Sequence, residues 1–142
     1  MESEVMTTQQ EVSGDVFPEG YLRVRFGLLD THYHNGLIPA AIILRSFADC
    51  SSEIGLRMDG VDGYLAAYES AEFLKPVYAG DYVEVRARVI SKGNRSRRVA
   101  VEAHRVLEHK EGTGGLSGAV VHDPPQLVGR AVMVSVKPRD AE

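Results

Sequence analysis

The chain has one cysteine, Cys50, and no tryptophan. A single thiol excludes an internal disulfide framework and suits a reducing compartment, so a cytoplasmic location is expected. No apolar run approaches the roughly 18 residues of a membrane-spanning helix, and no membrane partner is expected. The 16 Lys and Arg are outnumbered by 20 Asp and Glu, for a net charge of −4. That balance excludes the basic excess of a nucleic-acid binder. Residues 1–20 carry Glu2, Glu4, Glu11, Asp15 and Glu19 without a positive cluster followed by an apolar core. They do not read as a secretory signal and are expected to form a flexible N-terminal segment. Histidine is also scarce: His32 and His34 stand close together, but no further Cys or His falls at ligand spacing, so no metal is expected.

What remains is the composition of a soluble globular protein, 44% hydrophobic and 25% charged over 142 residues. This fits one domain, placed at residues 21–138 with a short tail at 139–142. Internal repeats are absent.

Residues 21–27 (YLRVRFG) alternate apolar Leu22, Val24 and Phe26 with Arg23 and Arg25, the pattern of a half-buried strand. A polar loop follows at residues 30–36 (DTHYHNG). Residues 38–58 have helical period: Ala40, Ile43, Leu44, Phe47, Cys50, Ile54 and Met58 stack on one face, and Pro39 suits a first helical turn. The remainder reads as strand. Residues 64–74 and 82–91 are followed by a turn at 92–96 (KGNRS), then by strands at 98–109 and 127–137. Residues 110–126, rich in Gly, Ser, His and Pro, read as an excursion or flexible loop.

Strands that follow the helix without further helices cannot build βαβ units, which excludes a doubly wound parallel sheet. One long helix can cover one face of one sheet. An α+β fold with an antiparallel five-stranded sheet wrapped around a central helix satisfies the order, and that is the hotdog arrangement. Its exposed edge strands favour pairing with a second copy, as a homodimer or larger homo-oligomer.

Several residues have the types that acid–base and anion-stabilising chemistry needs. The helix N-terminus, at residues 36–41, offers backbone N–H groups and the positive end of the helix dipole to a developing oxyanion. Gly36 permits close approach, and since Pro39 lacks a donor, the amides of Gly36, Leu37 or Ala40 would have to serve. Asp49 and Glu53, four residues apart, point along one stripe and can accept a proton or hold an ammonium. The same residues fit a solvated salt-bridged ladder, Arg45-Asp49-Glu53-Arg57. Asp30 and His32 are further acid–base candidates, although a loop histidine can simply bond a carbonyl. Cys50 shares the apolar face and reads as core.

Lys92, Asn94, Arg95, Ser96, Arg97 and Arg98 form a basic cluster whose charge suits phosphates, on a turn whose Gly93-Asn94 also suits a plain hairpin. Tyr64, Tyr68 and Glu72 can line a tunnel from the facing strand or serve as packing.

The segments DTHY (30–33), FAD (47–49), SEI (52–54), MDG (58–60), EFL (72–74), PVYAGD (76–81), GNRS (93–96) and Glu102-Ala103 resemble, in order and spacing, the beta-alanyl-CoA and 3-aminobutyryl-CoA ammonia-lyase family, a hotdog group. The chain departs from that family at Asn35-Gly36 and at Pro39-Ala40-Ala41, where the loop enters the helix. The resemblance implies a lyase of lysine fermentation that removes ammonia from a 3-aminoacyl-CoA. It implies catalytic roles among Asp30, His32, Asp49 and Glu53. Substrate or CoA contacts are implied for Tyr33, Asn35, Gly36, Leu37, Glu72, Gly93, Asn94, Arg95 and Ser96. No cofactor is implied, coenzyme A being part of the substrate. The alternatives are an acyl-CoA thioesterase in which a helix carboxylate activates water, a hydratase, and a non-catalytic acyl-CoA sensor.

Overall fold

The computed structural model describes residues 16–31 and 35–139. His32, Tyr33 and His34 lie outside the described residues, as do residues 1–15 and 140–142 of the expected flexible ends. Residues 16–19 enter without regular structure, and Phe17 packs half-buried against the core.

Strand β1 (Gly20–Arg25) turns Leu22 and Val24 inward and its arginines outward, as its alternation requires. A single 3-10 turn (Leu28–Asp30) then leads towards helix α1 (Ala40–Asp59). The other strands are β2 (Tyr64–Phe73), β3 (Tyr82–Lys92), β4 (Ser96–Glu111) and β5 (Ser117–Val136). They form one five-stranded sheet in the order β1-β3-β4-β5-β2, and every neighbouring pair is antiparallel. Phe47, Cys50 and Ile54 of α1 are buried in one cluster with Val83, Val85, Val99, Val101 and Met133. The protein is thus α+β, with the sheet packed over one long helix.

The helix begins later than expected and ends within the polar stretch 59–63. Pro39 is the N-cap of α1, with extended backbone (φ −68°, ψ 153°), and Ala40 is exposed instead of joining the buried stripe. The helix stops at Gly60, whose φ of 76° lies in the left-handed region that glycine enters freely, and whose amide donates to the Leu56 carbonyl.

The larger correction concerns residues 110–126, which are not a loop. β4 runs on to Glu111, a 3-10 turn (Thr113–Gly115) reverses the chain, and β5 begins at Ser117. The arm pairs Leu107 with Val121 and Glu111 with Ser117. Val120 and Val121 are exposed, so no buried face imposes alternation on the sequence. The register jumps between Arg105↔Gln126 and Leu107↔Val121, and Pro124 and Pro125 fall in that jump. There they interrupt no ladder bond.

Asp81 and Arg105 lie inside the protein, their side chains 0% and 5% exposed. Arg105 Nη1 donates to Asp81 Oδ2 at 2.9 Å and to the Pro76 carbonyl at 2.8 Å. Asp81 also accepts the amides of Tyr78 and His109, at 2.9 and 2.7 Å. Arg105 completes its bonds at Gln126 Oε1. Removing one partner strands the other charge in the core, which costs about 3–5 kcal/mol. Arg105→Met is therefore expected to lower the unfolding free energy by about that amount, read from the urea midpoint at constant slope; an unchanged midpoint would refute it.

Candidate active site

The entry to α1 hangs from the turn that Asp81 holds. Leu37 forms a bridge with Tyr78, the Ile38 amide donates to the Val77 carbonyl, and the Ala79 amide donates to the Gly36 carbonyl, the last two at 2.9 Å. Gly36 has φ 76°, a conformation that favours glycine at this reversal. The Leu37 amide, one of the three expected oxyanion donors, is committed to Asn35 Oδ1 at 3.2 Å. The amides of Ala40 and Ala41, in the exposed first turn, have no acceptor among the described residues. They are the donors that the helix end leaves free.

Beside them lies a cavity of about 230 Å³, lined by Leu37, Ile38, Ala40 and Ile43 at the helix entry and by Pro76 and Val77 from the turn, with Phe73, Lys75 and Val128 completing it. An apolar space next to unpaired amides can hold an acyl group with its carbonyl oxygen on the N–H groups.

The candidate carboxylates have different surroundings. Asp30 Oδ2 accepts the Gly27 amide at 2.9 Å, and its Oδ1 pairs with Arg45 at 3.6 Å. Glu53 uses both oxygens: one accepts the Tyr21 amide and the other Arg57 Nε, each at 2.8 Å. These bonds, the Tyr21 amide first and Arg57 next, hold the Glu53 carboxyl below its ordinary value. Asp49 is exposed and has no hydrogen-bond or ion-pair partner among the described residues. The expected ladder therefore exists only at Glu53–Arg57, since Arg45 turns to Asp30. Cys50 is core as expected: burial, then the Glu53 charge, pushes its thiol up to about 12, and its Sγ lies 3.4 Å from the Val85 carbonyl.

The turn residues are partly engaged in structure. The Gly93 amide donates to the Ser96 carbonyl, and Arg95 donates to the Lys137 carbonyl at 2.8 Å. Arg97 is buried on Asp59, and Arg98 pairs with Glu69. Lys92 and Asn94 are exposed and remain open to a phosphate. Glu72 pairs with Arg130 at 2.6 Å. Arg130 is the register partner of Glu102, whose neighbours Val101 and Ala103 face the core, so Glu72 stands on the sheet face away from α1.

Sequence reasoning did not single out Asp81 and Arg105, nor the cavity residues Pro76 and Val77. One signal was present: Arg105 continues the inward series Val99, Val101, Ala103 at a position where a charge must find a partner.

Residues 32–109 match the family model described as the thioesterase superfamily. The chain belongs to that superfamily, a group of hotdog-fold proteins. It is 36% identical over 121 residues to the 3-aminobutyryl-CoA ammonia lyase of Acetoanaerobium sticklandii, covering 85% of this chain and 95% of the relative. Among solved structures it superposes on the beta-alanyl-CoA:ammonia lyase of Clostridium propionicum with a TM-score of 0.82 at 25% identity, covering 90% of each chain. A hexameric hotdog fold thioesterase of Campylobacter jejuni shares the fold at 21% identity and a TM-score of 0.64, over 84% of this chain and 83% of that one.

The depressed Glu53 carboxyl carries a pH signature. Its contribution to stability is complete above the unfolded value near 4.3 and is lost as pH falls through the lower folded value. Glu53→Gln is expected to be less stable than the wild type at neutral pH, with the gap closing on acidification below about pH 4.3. Denaturant unfolding across that range would contradict this if the gap were constant.

Proposed function

We propose that this protein is a 3-aminoacyl-CoA ammonia-lyase, with 3-aminobutyryl-CoA or beta-alanyl-CoA as substrate. The observation that carries the reading is the 36% identity to a 3-aminobutyryl-CoA ammonia lyase along 95% of that protein's length. The local geometry supports it. The acyl group fits the cavity of about 230 Å³, with the thioester oxygen on the Ala40 and Ala41 amides, where enolate charge develops. Asp49, the helix carboxylate left without a partner, stands nine residues from Ala40, about 13.5 Å along the helix and on its opposite side, so the Asp49 that takes the α-proton is that of a second copy. The electron pair of that C–H bond forms the C2–C3 double bond, and the C3–N bond breaks to release neutral ammonia. Asp30 holds the turn before α1 through the Gly27 amide, and Glu53 ties the helix to β1 through the Tyr21 amide. His32 and Tyr33, eight and seven residues before Ala40 in sequence, remain candidates to meet the thioester.

A thioesterase is the second reading, favoured by the superfamily to which the chain belongs. There Asp49 would activate water instead.

We further propose that a second copy completes the protein. β2 pairs with β5 on one side only, at the end of the sheet, and exposes Tyr64, Leu65 and Phe73. Such an edge is stabilised by pairing across a two-fold axis. The buried thiol of Cys50 fits a reducing cytoplasm.

The test measures ammonia and free thiol together on 3-aminobutyryl-CoA, beta-alanyl-CoA and butyryl-CoA. Ammonia release without thiol release is expected, and thiol release alone would overturn the lyase reading. Asp49→Asn is expected to lower kcat about 10²–10⁴-fold, the usual contribution of a positioned base, and an unimpaired variant would remove Asp49 from the mechanism.

A further inference from the structure

The cavity beside the free helix amides is larger than the acyl group assigned to it. At about 30 Å³ for each water-sized group, its volume of about 230 Å³ has room for roughly seven such groups. Beyond its thioester carbonyl, the 3-aminobutyryl group brings two chain carbons, a methyl and an amine. The beta-alanyl group brings less, so either leaves part of the space unfilled.

The walls are apolar except at one place. Ile38, Ile43, Val77 and Val128 line the cavity from the core, and among the described residues that line it Lys75 alone carries a charge. Phe73, Lys75 and Val77 stand at alternate positions, and all three line the space. The backbone there is fixed, since the Leu74 and Lys75 amides both donate to the Val128 carbonyl, at 2.8 and 3.2 Å. The Lys75 side chain is exposed at the rim and makes no hydrogen bond or ion pair among the described residues. Glu72, the carboxylate nearest to it in sequence, is bonded to Arg130 on the sheet face away from α1.

Charge at this cavity therefore has one sign. The Ala40 end of α1 is the positive end of the helix dipole, and Lys75 adds a full positive charge at the rim. An ammonium placed inside would meet two repulsions and no acceptor side chain, whereas a carboxylate would meet two attractions. The amine of the substrate is thereby directed out of the cavity, towards the carboxylate of the second copy, and the cavity is left for the far end of the acyl chain.

We propose that Lys75 is a specificity-determining residue that binds a carboxylate at that far end, which extends the substrates to 3-aminoacyl-CoA thioesters of dicarboxylic acids, such as 3-aminoglutaryl-CoA. The assignment rests on the lyase reading for the amine and adds to it the group at the other end of the chain. The extra carboxylate of such a substrate occupies the space that 3-aminobutyryl leaves.

The full-length protein, Lys75→Met and Lys75→Arg are compared for Kd of glutaryl-CoA and of hexanoyl-CoA, whose chain is of similar length and uncharged. They are also compared for kcat/KM of ammonia release from 3-aminoglutaryl-CoA and 3-aminobutyryl-CoA. Lys75→Met is expected to weaken glutaryl-CoA about tenfold, the lower end of what a hydrogen bond to a charged group contributes, and to leave hexanoyl-CoA within about twofold. Its kcat/KM is expected to fall for 3-aminoglutaryl-CoA alone. Lys75→Arg keeps the charge and is expected to keep the preference. A lysine that met the phosphates of coenzyme A instead would change every ligand alike, and one that met no ligand would change none; either result overturns the proposal. Lys75→Gln gives the same comparison if the methionine variant does not fold. The two readings fail separately: wild-type enzyme that releases only thiol sinks the lyase itself, whereas ammonia release with glutaryl-CoA binding unchanged in Lys75→Met sinks only the role of Lys75.

Discussion

Asp81 and Arg105 hold opposite charges where water does not reach, and their attraction alone would not repay the desolvation of both. The surrounding bonds make up the difference. Asp81 receives two amides besides the guanidinium, and Arg105 reaches a carbonyl and a glutamine oxygen. These partners lie on the 76–81 turn, β4 and β5, and the turn is tied to the end of β1 through Phe26. The same turn carries residues 36–38 into α1. The free amides of Ala40 and Ala41 therefore point where a buried ion pair 24 residues apart in sequence directs them.

Helix α1 shows how environment separates acids that look alike in sequence. Asp59 is buried and takes two bonds from Arg97, locking the C-terminal end of the helix to β4. Glu53 takes an amide from the first residues of β1 and a guanidinium from its own helix. Both spend their acceptor capacity on architecture. Asp49 does not, and a carboxylate whose oxygens are uncommitted is the one free to exchange a proton. Selection among the three comes from what the packing leaves over.

The strands that face α1 were legible because one covered face imposes alternation, as in Val83, Val85, Ala87 and Val89. The first half of β5 was not, since an arm uncovered on both faces needs no pattern and its prolines read as loop. The helix was legible in its buried middle and misplaced at Pro39, where extended backbone caps it. Site residues divided the same way. Asp49 could be named from its helical spacing, but whether it or Glu53 was free depended on the Tyr21 amide of β1, 32 residues before Glu53 and beyond local pattern. The Asp81–Arg105 pair left only an inward-facing charge as its trace.

Hydrolysis and elimination ask different things of one scaffold. Both use an oxyanion site and a carboxylate, for which the free helix end and the unpartnered Asp49 are this chain's candidates. Hydrolysis also needs an ordered water at the carboxylate. Elimination needs the opposite: a dry centre, so that the charge of the carboxylate is spent on the ammonium and the α-proton. In a single chain Asp49 is exposed. The dryness that elimination asks for is therefore not a property of the isolated fold: the substrate, or a second copy laid over α1, has to bring it, whereas hydrolysis finds its water already at hand.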